Sequence, residues 1–240
     1  MTITRFGLAF VGLLFVPLAA PAGQAAPTPE QRVAALKQSL QEGQARLRKF
    51  EWVETTIISL KGEEKARTQK RCYYGADGKI QKVAMGESPK PAPAPPSGKR
   101  GGRVKEKVIE NKKSDMQEYM ERAAALIHQY VPPAPAPIQK VKDAGKLTVK
   151  PIDAARVRFE LKDYLQAGDV LGIEVNAASN SLAAVSVATY LDKAEDTVAL
   201  AVKWGTLQDG TGYVAQTTLD ATAKNIQVVI QNSGHRPLTQ

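Results

Sequence analysis

From about Lys146 to Gln231 apolar and polar positions alternate with a period of two. That is the spacing of a half-buried strand, because successive side chains leave it on opposite faces. In 197–204, Val198, Leu200, Val202 and Trp204 share one face and Thr197, Ala199, Ala201 and Lys203 the other. In 225–231, Ile226, Val228 and Ile230 are set against Asn225, Gln227, Val229 and Gln231. Val185, Val187 and Leu191 alternate with Ala184, Ser186 and Tyr190, and Val157, Phe159 and Leu161 with Arg156, Arg158, Glu160 and Lys162. Gly212–Asp220 and Lys224–Gln231 read as the closing strands. Turn residues separate the runs: Ala178 to Ser181, Asp192 to Asp196 and Gln208 to Thr211. No helix-length segment lies between the later strands, which favours an antiparallel meander.

The second face of several strands is small or uncharged: Ala199 with Ala201, Ala183 with Thr189, Ala215 with Thr217. Two readings fit, an ordinary solvated face or a concave face whose small side chains leave a cavity open.

Upstream the period changes to that of a helix. Thr28, Pro29 and Gln31 form a capping box with proline at the first helical position. Val33, Leu36, Leu40, Leu47 and Phe50 continue at helical spacing, predicting an amphipathic helix of about five to six turns. Gly43 weakens its middle without breaking it. The next residues, Glu51 to Leu60, are rich in β-formers, a second strand is expected from about Arg67 to Tyr74, and Gly75-Ala76-Asp77-Gly78 turns the chain into a third over Lys79 to Ala84. A Pro-rich linker is expected at 88–102 and a second at 132–137. Between them Arg103 to Val131 reads as a helix, with Val104, Val108, Met116, Tyr119, Met120, Ala123, Ile127 and Tyr130 along one stripe.

Composition adds compartment. Residues 1–25 read as a secretory signal peptide, with Arg5 in front of an apolar run from Phe6 to Phe15 and a small-residue site, cleaved after Ala25. Residues 26–240 are then a single α+β domain, and the expected location is the periplasm. Cys72 is the one cysteine. It forms no intramolecular disulfide, and its place in Arg71-Cys72-Tyr73-Tyr74 predicts a small buried hydrophobe. The net charge of +9 is unevenly spread: residues 61–113 hold 15 Lys/Arg against 6 Asp/Glu, and residues 151–240 hold 7 against 10. The basic 61–113 region reads first as a solubilising face; where it meets a partner, an anionic membrane surface is expected ahead of nucleic acid, and no nucleic-acid partner is assigned.

Candidate reaction chemistry is sparse. His128, His235 and Cys72 lie far apart and have no metal-ligand spacing. The nucleophile-elbow, phosphate-loop and dinucleotide patterns are missing. The carboxylate pairs Glu63-Glu64 and Glu195-Asp196 lie in hydrophilic turns. No catalytic, cofactor-binding or metal-ligating residue is assigned, no cofactor is expected, and a non-enzymatic protein is the expectation. His128 reads as a surface or packing residue and His235 as part of a mobile terminal segment.

The order of elements resembles the LolA/LppX-type periplasmic carriers of lipoproteins and lipids. It is carried by the helix Val33 to Phe50 leading directly into Glu51-Trp52-Val53, and by the closing strands Gly212–Asp220 and Lys224–Gln231. The resemblance implies a curved, half-open antiparallel barrel of about ten strands covered by an N-terminal helix and a central helical insertion. It implies binding of a lipid or lipidated protein in an apolar cavity between sheet and helices. No functional residue is carried over from it. The competing expectation is a cell-envelope interaction or scaffold protein with a filled core.

Overall fold

The computed structural model describes residues 29–86 and 102–238, with side chains over 35–86 and 114–238. The expected signal peptide at 1–25, the cap at Thr28 and nearly all of the linker at 88–102 lie outside the described residues. Helix α1 (Pro29–Leu47) leads into strands β1 (Phe50–Leu60), β2 (Glu63–Tyr74) and β3 (Ile80–Ala84). Helices α2 (Gly102–Tyr130) and α3 (Pro135–Asp143) follow. The remaining strands are β4 (Leu147–Pro151), β5 (Arg156–Lys162), β6 (Val170–Asn176), β7 (Ser181–Tyr190), β8 (Thr197–Thr206), β9 (Gly212–Ala221) and β10 (Ile226–Pro237). All ten strands form one antiparallel sheet in the order β3-β2-β1-β10-β9-β8-β7-β6-β5-β4. Every neighbour is a sequential hairpin partner except one: β1 pairs with β10, so the two ends of the folded chain meet inside the sheet. Edge strands β3 and β4 are not paired with each other, which leaves the curved sheet an unclosed, half-open barrel with the helices on one face.

Local chemistry sets the register. Lys61 and Gly62 both take positive φ, 54° and 80°, the geometry of a two-residue type I′ turn whose twist matches the strands it joins. The turn therefore consumes two residues and β2 begins at Glu63, four residues before the strand expected from about Arg67. Register shifts occur at Glu51/Val53, Ile58/Ser59, Glu174/Val175 and Lys203/Trp204, each adding local bend and twist to the sheet. The first coincides with Gly234, whose φ of 62° is one a side chain resists.

Helix α1 crosses the sheet over β9 and β7, with Leu36 buried and Leu40 packed on the same core. At Gly43, a Cβ would stand 3.7 Å from the Gly212 carbonyl oxygen, so the helix approaches the strand closely here without a clash. Helix α2 buries Tyr119, Ala123, Ile127 and Tyr130, four members of the expected stripe; the side chains of Val104 and Val108 are outside the described residues.

Helix α3 corrects the linker expected at 132–137. The first half of that tract is irregular chain, but Pro135 and Pro137 occupy the opening turn of a helix, where a missing N–H costs nothing and a fixed φ helps. Ala134, at the N-cap, has no side-chain acceptor to offer, and the Tyr164 hydroxyl accepts from its backbone N–H at 2.8 Å. Ile138 and Val141 then enter the core.

That core lies between the helices and strands β5 to β8, where Val157, Phe159, Leu161, Leu171, Ile173, Val185, Val187, Val198, Leu200 and Val202 are buried. It is aliphatic apart from Phe159 and two tyrosines, Tyr130 and Tyr164.

Candidate functional site

Directly opposed residues in an antiparallel pair project to the same face, so the register identifies rows running across the sheet. One row is Val187, Leu200, Leu219, Val228, Ile58 and Ala66. The next is Val185, Val202, Thr217, Ile230, Thr56 and Thr68. Both start in the core beneath the helices. Along the first, exposure rises from 2% at Val187 and 8% at Leu200 to 41% at Ile58; Leu219 and Val228 between them are half-buried, and Ala66 is exposed. Among the described residues, the helix-facing surface thus remains apolar past the point where helices cover it. The candidate site is this uncovered part, carried by β9, β10, β1 and β2.

Its borders differ in chemistry. At one end, Leu60, Ile226, Val228 and Ala221 pack under Tyr119, Met116 and Met120 of α2. Polar ties fix this stretch of α2: the Tyr119 hydroxyl donates to Asp196 at 2.5 Å and Arg122 donates to Asp192 at 2.5 Å, both in the turn after β7. Arg122 holds the Asp192 carboxyl below its ordinary range. At the other end lies an aromatic group. Trp52 donates from Nε1 to Asn232 Oδ1 at 3.1 Å, and its ring lies 5.8 Å from that of Tyr74 and 5.9 Å from that of His235. His235 also meets the Tyr213 ring at 4.1 Å. Strand β10 thus runs to Pro237 with His235 half-buried between aromatic rings, not in a mobile terminal segment; burial lowers its pKa. Next to the aromatic end, Glu54 faces Lys70 across the strands, and Lys82, level with Trp52, donates to Glu54 at 2.6 Å.

The small-residue face considered from the sequence divides otherwise. Ala199 and Ala201 face away from the helices, on the side opposite Val198 and Leu200, and line no helix-covered space. Thr189 and Thr217 belong instead to the helix-facing rows, opposite Val198 and Val202. The open surface is thus lined by large aliphatic side chains and threonines. Periodicity could place residues on a face; it could not say which strands the helices fail to cover.

A second polar cluster lies at the far side of the core. Asp169 is fully buried and accepts backbone N–H bonds from Tyr164, Leu165 and Gln166, closing the loop between β5 and β6. The Tyr130 hydroxyl donates to Asp169 at 2.5 Å and lies 2.8 Å from Thr189 Oγ1, which accepts from Gln166 at 2.7 Å. These groups satisfy one another. The cluster pins the C-terminal end of α2 to the sheet and leaves no group directed at an open site.

Other residues singled out from the sequence stay apart. Cys72 is fully buried opposite Trp52 and Lys82, and burial raises its thiol above the ordinary value, which suits packing rather than nucleophilic attack. His128 is exposed on α2. In the described part of the basic segment, Lys65 pairs with Glu63, Arg67 with Glu64, Arg71 with Glu51, Lys79 with Asp77 and Lys82 with Glu54. Much of its positive charge is therefore matched locally. Among the described residues no group of three or more His, Cys, Asp or Glu is placed to hold a metal ion, and no helix is long and apolar enough to cross a membrane.

No protein-family model matches the chain, and no curated protein matches it. Among solved structures it is similar to the crystal structure of a DUF1329 family protein from Desulfovibrio piger, at 13% identity over 85% of this chain and 92% of that chain, with a TM-score of 0.36.

Proposed function

We propose that the protein is an exported, periplasmic binding protein without enzymatic activity, which shelters the apolar part of a lipid or lipidated partner on the uncovered helix-facing surface of its sheet. One observation carries the reading: the row from Val187 to Ile58 stays apolar while exposure rises to 41%. An aliphatic surface continuous with the core and left open has a driving force to be covered. Each methylene that a ligand buries there contributes about 0.8 kcal/mol, enough for a single alkyl chain to bind without any specific polar contact. The arrangement that resembles the LolA/LppX-type carriers supports the same reading. Native mass spectrometry of the purified protein tests it. The expected result is an amphiphile that co-purifies and is released by organic extraction; a protein that emerges with no adduct and takes up no fluorescent fatty acid contradicts it.

A second reading, a non-enzymatic interaction or scaffold protein, draws on the β3 edge. There Ile80, Val83 and Met85 are 44%, 45% and 47% exposed beside a free strand edge, the arrangement to which an extended peptide adds as a further strand.

A further inference from the structure

We propose that the amphiphile held on this face carries an anionic head, met by Lys70 and Lys82, with its alkyl chain lying along β1 toward Leu60; the inference rests on the carrier reading above. Polarity changes in steps along β1. Leu60 and Ile226 form the level beneath α2, with the exposed Glu63 opposite Leu60 on β2 and paired with Lys65, then Ile58 with Val228 and Ala66, then Thr56 with Ile230 and Thr68. Next come Glu54 with Asn232 and Lys70, and last Trp52 with Cys72 and Lys82. From Leu60 to Glu54 the strand rises about 20 Å, more than the roughly 15 Å that one chain occupies in half of a bilayer's hydrocarbon core. An extended chain thus fits the apolar lane with its head at the level of the charges.

The head's charge follows from which hydrogen-bonding groups are spare. Trp52 Nε1 is committed to Asn232, and Asn232 Nδ2 to the Val214 carbonyl at 2.9 Å. Lys82 is engaged with Glu54, whose carboxylate is only 12% exposed. Lys70, directly opposite Glu54, has no acidic partner among the described residues. Two ammonium groups stand against one carboxylate: Lys82 is already paired with Glu54, and Lys70 is the one whose charge is left unmatched among the described residues. An acceptor-only anion complements that set; a cationic head would meet excess positive charge, and a neutral head could accept from the ammonium but would form no ion pair with it. Carboxylate and phosphate share this chemistry.

Isothermal titration of the purified protein with palmitate, hexadecyl phosphate, monopalmitoylglycerol and inorganic phosphate tests the assignment. The expected result is that at low salt at least one of the two anionic amphiphiles binds roughly tenfold or more tighter than monopalmitoylglycerol, with the tighter of the pair identifying the head. That preference collapses in Lys70→Met and reverses in Lys70→Glu, and inorganic phosphate alone neither binds measurably nor competes. Equal affinity for charged and neutral heads overturns the head assignment and leaves the carrier reading standing. So does a preference that survives in both Lys70 variants, or inorganic phosphate that competes as well as the tailed ligands. If none of the three amphiphiles binds, the carrier reading falls as well.

Discussion

Tyr130 shows how much of this fold hangs on single polar atoms. Its hydroxyl joins the end of α2 to the buried Asp169 and to Thr189 on β7. Tyr130→Phe removes that link while Asp169 keeps its three backbone donors and Thr189 keeps Gln166. The expected loss is about 1–2 kcal/mol of unfolding free energy, read from urea denaturation; an unchanged midpoint would contradict the latch. From the sequence Tyr130 was legible as a core position of the helical stripe, and its partner was not. Asp169 sits in a hydrophilic stretch, and nothing local distinguishes a carboxylate that turns inward to close its own loop from one left in water. The same limit explains His235. Its neighbours Gly234 and Pro237 read as a terminal coil, whereas the positive φ at Gly234 bends β10 so that the imidazole joins Trp52 and Tyr213.

Among the elements, α1 was legible and its glycine carries a specific consequence. A helix-interior glycine costs stability relative to alanine, and at Gly43 the nearest atom to an added Cβ lies at ordinary contact distance, 3.7 Å. Gly43→Ala is therefore expected to raise stability by roughly 0.5–1 kcal/mol in thermal or denaturant unfolding; destabilisation would contradict an open contact between α1 and β9 at this position. Gly172 is the contrasting case. A Cβ there would stand 2.5 Å from Ser186 Oγ and 2.9 Å from the Arg158 guanidinium, which reaches across it to Glu174 at 3.0 Å. Strands with clean alternation, such as those bearing Val157, Phe159 and Leu161 or Val198, Leu200 and Val202, lie where their pattern puts them. The missed element is α3, because three prolines between 133 and 137 signal a break until the chain geometry shows that two of them open a helix. The β4 edge is protected in a way the sequence does display: it is five residues long, ends in Pro151 and carries Lys150.

At the scale of the whole molecule, an antiparallel sheet of about ten strands under helices was readable from period and turn chemistry. The pairing of β1 with β10 was not, since it joins segments some 180 residues apart, as in the Trp52–Asn232 bond, and no local pattern encodes such a partner. That pairing creates the open part of the inner face by setting Ile58 beside Val228 and beyond the reach of the helices. Adjacent isoleucines make the claim testable. Ile58 faces the helix side, whereas Ile57 faces away from the lane and lies opposite Arg67, which is already paired with Glu64. Fluorescent fatty-acid titration of the wild-type protein, Ile58→Glu and Ile57→Glu is the most direct measurement. An unpaired carboxylate in the lane is expected to weaken binding at least about tenfold in Ile58→Glu, while Ile57→Glu binds as the wild type does. Equal affinity in all three, or loss confined to Ile57→Glu, would contradict a ligand-binding inner face.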